Sequence, residues 1–173
     1  SLKSGNAVLE ALKARGWNAL AIEVDRNLPR TLVDAGVEVA WIALHGRFGE
    51  DGCVQGLLEV MGIPYTGPDV RCAAVTMDKI ATKQVMAGFP DVVMARDWIC
   101  TQNKRRPDGL TFPVVVKPSV GGSTIGIRRV ESISEFDNAI DDALALHPEV
   151  LIEEFVAGDE ITVAVFEDKA LPV

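Results

Sequence analysis

Cysteine is scarce: Cys53, Cys72 and Cys100 are odd in number and far apart, which fits neither a disulfide framework nor a CxxC metal knuckle. They read as core or surface thiols of a protein in a reducing compartment, so the cytoplasm is the expected location. No apolar run approaches the roughly 20 residues that a membrane span requires. The first six residues also lack the charged-then-apolar profile of a signal peptide, and no membrane partner is expected. Aromatic residues make up only 6% of the chain and nowhere interleave with a stripe of basic side chains. With 17 basic against 25 acidic residues and a net charge of -8, the sequence has no pattern suited to a phosphate backbone, which argues against nucleic acid as a partner.

What is present suffices for a core. The 173 residues are 48% hydrophobic and 24% charged, in the range of one or two compact domains. The chain begins at Ser1 without a methionine and stops at Leu171-Pro172-Val173 as a new apolar segment opens; we read it as a fragment.

Ala7, Val8, Ala11 and Leu12 follow Ser4 at helical spacing, and Arg15-Gly16 supplies a stop, so the spacing predicts a first helix. "NALAIEVD" alternates like a strand, a short helix spans residues 30–35, and "VEVAWIALHG" reads as a strand covered on both faces. This order predicts an α/β fold opening on an open, mostly parallel sheet. His45-Gly46 lies at a strand end, where ligands of such sheets collect. A helix over residues 51–61, the turn-rich "GIPYTGPD" and further helical residues through "CAAVTMDKIATKQVMAG" follow, and we place a domain boundary near Thr76. In the second half "FPVVVKP" and "GIRRV" flank a glycine loop. "SISEFDNAIDDALALH" opens with the capping-box pattern Ser132 to Glu135 and carries Phe136, Ala139, Ile140, Ala143 and Leu144 on one face. "VLIEEFV" and "EITVAVFED" read as two strands joined by a hairpin-like turn at residues 157–159. The second half is thus an antiparallel α+β unit.

Strand alternation places Lys117 on the face of Val115, and Glu153 on the face of Leu151 and Phe155. A charge among apolar neighbours needs an opposite charge or a charged ligand. A structural Lys-Glu pair and a snorkelling lysine satisfy that need as well as a ligand does. The loop "SVGGSTIG" offers Gly121, Gly122 and Gly126 for unusual backbone angles, and the hydroxyls of Ser119, Ser123 and Thr124 as donors. It can cradle a phosphate, or be a simple hairpin turn; it matches neither the Walker pattern nor a dinucleotide fingerprint.

Taken together, "ALHGRFGEDGCVQGLLEVMGIPYTG", "MDKIATK", "FPVVVKPSVGGSTIG" and "VLIEEFVAGDEITVAVF" resemble the D-alanine–D-alanine ligases of the ATP-grasp superfamily, in order and spacing. "SLKSGNAVLEAL" is similar to the segment after that family's first strand. The resemblance implies a Rossmann-like pre-ATP-grasp domain over residues 1–76 and an incomplete ATP-grasp subdomain over residues 77–173. It implies ATP and Mg²⁺ (or Mn²⁺) as cofactors, D-alanine as substrate and a homodimer. By the same resemblance Lys79 and Lys117 contact the ATP phosphates, with Gly122, Ser123 and Thr124 in the cradle. Glu153, Glu154 and Val156 line the adenine slot and Glu160 binds the ribose. Ser123 helps hold the first D-alanine and is the catalytic candidate, and His45 lies near that substrate's carboxylate; from the residues alone His45 is equally a histidine satisfied by backbone. His147 at a helix end reads as a cap.

In that family one D-alanine is phosphorylated on its carboxylate and the amine of a second attacks the acylphosphate, yielding a cell-wall precursor. The metal ligands and the arginine for the tetrahedral intermediate lie beyond Val173 in the family, and a glutamate for the first D-alanine lies before Ser1; this chain alone is therefore expected to be inactive. The family usually has a charged or bulky residue where Gly121 stands. A D-alanine–D-lactate or D-alanine–D-serine ligase shares nearly all these motifs, as does any related carboxylate-amine ligase in part. A non-catalytic nucleotide-binding module is the alternative from another class.

Overall fold

The computed structural model describes residues 2–103, 107–122, 124–166 and 168–173. Helices α1 (Leu2–Ala14), α2 (Leu28–Asp34), α3 (Cys53–Met61), α4 (Val70–Met77) and α5 (Lys79–Met86) precede strands β1 (Asp97–Thr101), β2 (Val114–Pro118) and β3 (Arg128–Val130). Helix α6 (Ile133–Leu144) and strands β4 (Glu149–Glu154), β5 (Val165–Phe166) and β6 (Lys169–Ala170) complete the order.

The second half is built on a four-stranded antiparallel sheet, β1-β4-β2-β3. Because side chains alternate across a strand, Val114, Val116, Val150, Ile152, Cys100 and Val130 all point to one face. There they meet Phe136, Ala139, Ile140, Ala143 and Leu144 of α6 in a single buried cluster. The 3.6-residue spacing predicted for α6 thus gives its buried face, and Phe112 closes the end by an edge-on contact with Phe136, ring centroids 6.1 Å apart. The expected capping box does not form. Ser132 makes no side-chain cap; its hydroxyl turns to Ser134, 2.8 Å away, and Glu135 reaches back instead to the N–H of Glu131, at 3.1 Å.

Two readings of the second half need correction. "EITVAVFED" is not one long strand: residues 160–164 lie outside any strand, and among the described residues Val165–Phe166 pairs with Lys169–Ala170 alone. Nor does the turn at residues 157–159 close a hairpin. Both edges of β4 are already taken, by β1 and β2, so the following segment has no edge of β4 to join. The occupant of one of those edges, β1, was not predicted.

In the first half Leu28, Leu32, Val54 and Leu58 are buried, and Ile22, Val24, Ala40, Ile42 and Leu44 pack against them. Alternate residues of "NALAIEVD" and "VEVAWIALHG" therefore do face a common core. Among the described residues these runs carry no ladder, only a parallel bridge from Ala40 to Tyr65, made by Ala40 N–H to the Pro64 carbonyl (2.8 Å) and Thr66 N–H to the Ala40 carbonyl (3.1 Å).

The helical stretch around "MDKIATK" is interrupted at Asp78. Its extended backbone caps α5, its carboxylate accepting from the N–H groups of Ile80 (2.9 Å) and Ala81 (3.2 Å). That break turns α5 toward the sheet and makes Lys79 its first residue.

Candidate active site

Sheet alternation leaves Asp97, Val115, Lys117, Leu151 and Glu153 on the face turned away from α6. Pairing register sets Glu153 directly opposite both Asp97 and Val115. Lys117 forms an ion pair with one oxygen of Glu153. The other oxygen accepts from Lys83 of α5, at 2.7 Å. Burial by itself would raise the Glu153 pKa, but the hydrogen bonds and charges of Lys117 and Lys83 outweigh it and hold the carboxyl below its ordinary range.

Lys79 approaches the same face from the start of α5. Its ammonium donates to the carbonyl of Gly121 at 2.8 Å and, at 3.5 Å, to that of Ser119. Burial, and then the like charge of Lys117, lower its pKa against the pull of Asp78 and Glu153. A lysine that feels both burial and a second ammonium, while bonded among the described residues only to carbonyl oxygens, is suited to receive a polyanion.

The loop is fastened to α5 at its root. Asp78 accepts from the Ser119 hydroxyl, Asp78 and Val120 form an antiparallel bridge, and Lys79 N–H bonds the Ser119 carbonyl at 2.9 Å. Gly126 closes the loop at φ +74°. A Cβ there would lie 2.5 Å from Leu146 Cδ1 and 2.8 Å from Pro118 Cγ, so both angle and space demand glycine.

A cleft of about 670 Å³ runs from Lys79, Gly121 and Gly122 to the first half, where His45, Ser4, Glu50 and Gln55 line it. His45 Nε2 lies 3.0 Å from the Ser4 hydroxyl and Nδ1 lies 4.0 Å from Glu50. Glu50 also accepts from Gly46 N–H at 2.6 Å. Gln55 is buried and donates to the Gly49 carbonyl at 2.6 Å; its own oxygen finds no hydrogen-bond partner among the described residues, a place for a bound water or ligand donor.

Of the predicted residues, Lys79, Lys117 and Glu153 converge on one sheet face, while Lys79, Gly122 and His45 line one cleft. Ser123 lies outside the described residues. Thr124 is exposed at φ +60°. Glu154 points the other way, accepting from Arg96 N–H at 2.9 Å, and Val156 and Glu160 lie in the exposed run after β4. Lys83, Asp97 and Asp78 were missed. The signal for Lys83 was its spacing, four residues after Lys79 and thus on the same helical face.

The family model described as D-ala D-ala ligase N-terminus matches residues 29–68, and that described as D-ala D-ala ligase C-terminus matches residues 89–173. A D-alanine–D-alanine ligase of Geotalea uraniireducens is 49% identical over 173 residues, a match that covers 99% of this chain and 56% of that protein. The chain spans about half the length of the curated relatives it matches. Among solved structures, the D-alanine–D-alanine ligase of Bacillus anthracis superposes with a TM-score of 0.89 at 31% identity, over 99% of this chain and 57% of that one. Its complex with ATP gives 0.87 at 29%, over 99% and 58%. The VanG D-Ala:D-Ser ligase of Enterococcus faecalis gives 0.65 at 32%, over 70% and 37%. With the family's N-terminal and C-terminal models matched in order, and near-complete coverage by relatives of that name, the chain belongs to the D-alanine–D-alanine ligase family.

Proposed function

We propose that the protein joins two D-alanine molecules at the expense of ATP, through an acylphosphate, to supply D-alanyl-D-alanine for peptidoglycan. The observation that carries the reading is Lys79, which lines one end of a cleft with the glycine loop while His45 lines the other, and whose ammonium feels the like charge of Lys117. Phosphoryl transfer is governed by positioning and charge neutralisation, and two ammonium groups beside a turn with backbone N–H donors supply both. Lys79 and Lys117 bind the phosphates, with Gly122, Ser123 and Thr124 around them. Glu153, Glu154 and Val156 border the base, partly through backbone groups, Glu160 meets the ribose, and His45 and Ser123 face the first D-alanine. ATP fits this charge arrangement. Mg²⁺ finds no cluster of three or more His, Cys, Asp or Glu among the described residues.

On the same reading the protein works in the cytoplasm as a homodimer. Residues 1–76 form a substrate-side domain on a parallel sheet, and residues 77–173 form the nucleotide subdomain. The separate cores on either side of Thr76 support that division, as does the alternate packing of Ile22, Val24, Ala40, Ile42 and Leu44. Mass-spectrometric product analysis of the full-length protein, given ATP, Mg²⁺, D-alanine and equal D-serine or D-lactate, tests the substrate. D-alanyl-D-alanine is the expected main product. A predominant mixed product would overturn the choice of second substrate in favour of the D-Ala:D-Ser type of relative.

A further inference from the structure

Lys83 is not exposed and has no contact with the cleft, yet its ammonium is the most heavily engaged cation among the described residues. It donates to the Ala95 carbonyl at 2.6 Å and to Glu153 Oε1 at 2.7 Å, and lies 3.1 Å from Asp97 Oδ1. An ammonium has three N–H donors and no more; here three acceptors occupy them, so Lys83 cannot take a ligand without releasing one. Its task must lie with the groups it holds. Asp97 and Glu153 are register partners on adjacent antiparallel strands, a position in which like charges repel. Lys83 bridges both. The charged groups facing Glu153 are therefore Lys83 from α5, Lys117 from β2, Asp97 from β1 and, less closely, Lys79.

We propose that Lys83 is a positioning residue for the nucleotide site: by holding one oxygen of Glu153 it leaves the other to fix Lys117, and it docks α5 so that Lys79, one turn earlier, meets the glycine loop. The inference rests on the nucleotide reading above. It separates the roles of the three lysines. Lys79 and Lys117 touch the phosphates, and Lys83 sets where those two ammonium groups stand and keeps Glu153 ionised between them. Lys83 raises no surface charge available to a ligand, since its side chain is only 13% exposed.

The experiment uses the full-length protein with Lys83→Met, Lys83→Gln and Lys83→Arg, the glutamine retaining an N–H for the Ala95 carbonyl should the methionine variant not fold. Calorimetric titration with ATP is expected to show affinity reduced about tenfold or more in the neutral variants, as when an outer residue that orients a ligand-binding group is lost. Lys83→Arg should recover most of it. A carbon-13 NMR titration of the Glu153 carboxyl, which needs no nucleotide, should show its midpoint rising by about one unit or more in the neutral variants. Folded neutral variants with wild-type ATP affinity would overturn the inference and leave the nucleotide reading intact, as would an unmoved Glu153 midpoint. A wild-type protein that bound no ATP would overturn the nucleotide reading itself, and this inference with it.

Discussion

Lys117 and Glu153 satisfy one another on a sheet face without ligand, so the pair found here is the structural ion pair that the sequence also allows. What distinguishes a ligand site from that bare pair is Lys79, whose ammonium is bonded to two carbonyl oxygens and repelled by Lys117. Replacing Lys117 by alanine in the full-length protein should therefore weaken ATP binding roughly 10- to 100-fold, the loss expected for a charged hydrogen bond; unchanged affinity by calorimetry would contradict its role. Glu153 makes a separate prediction about pH. Its folded pKa lies below the ordinary 4.5, so its contribution to stability is complete above that value and is lost as pH falls through the lowered folded value. Urea-unfolding free energies taken from about pH 6 down to about pH 3 should thus decline less steeply for Glu153→Gln than for the wild type. Equal slopes would show that the two lysines contribute no such linkage. That Lys117 and Glu153 share a face was legible from strand alternation. The third member, Lys83, was not, because it reaches Glu153 across 70 positions of sequence and no local period reports how a helix docks on a distant strand.

Helix α6 shows the opposite case. Its buried face follows from 3.6-residue spacing alone, and all five residues assigned to that face are buried. Phe136 is fully buried in the core between α6 and the sheet, and Phe136→Ala should cost about 3–5 kcal/mol of unfolding free energy, measured by denaturant titration; a loss under about 1 kcal/mol would mean that the sheet collapses to fill the gap. Strand β1 was illegible because it is a five-residue edge strand, "DWICT", in which only Cys100 is buried, so it carries no full alternation. The long strand expected after residue 159 failed for a reason of topology: an alternating run becomes a strand only where an edge is free, and β4 has none. At α4 and α5 continuous helical residues hid a break, although Asp78 carries the capping chemistry that explains it.

At the scale of the whole molecule, two cores of different character flank one cleft. The second is closed by α6, whereas among the described residues the first is a cluster of four buried hydrophobic residues with partly buried neighbours around them, and it leaves Trp17 and Trp41 more than half exposed. No helix among the described residues is long and apolar enough to cross a membrane. The antiparallel subdomain and the lysine-bearing face were legible in sequence because both rest on strand and helix periods. The cleft was not, since His45, Lys79 and Gly122 meet only through the packing of separate segments. That this cleft serves an ATP-driven joining of D-alanine is tested by phosphate release from the full-length protein, given ATP and Mg²⁺ with or without D-alanine. Phosphate should appear only with D-alanine, one for each D-alanyl-D-alanine formed, whereas phosphate release that D-alanine does not stimulate, or none at all, would contradict it.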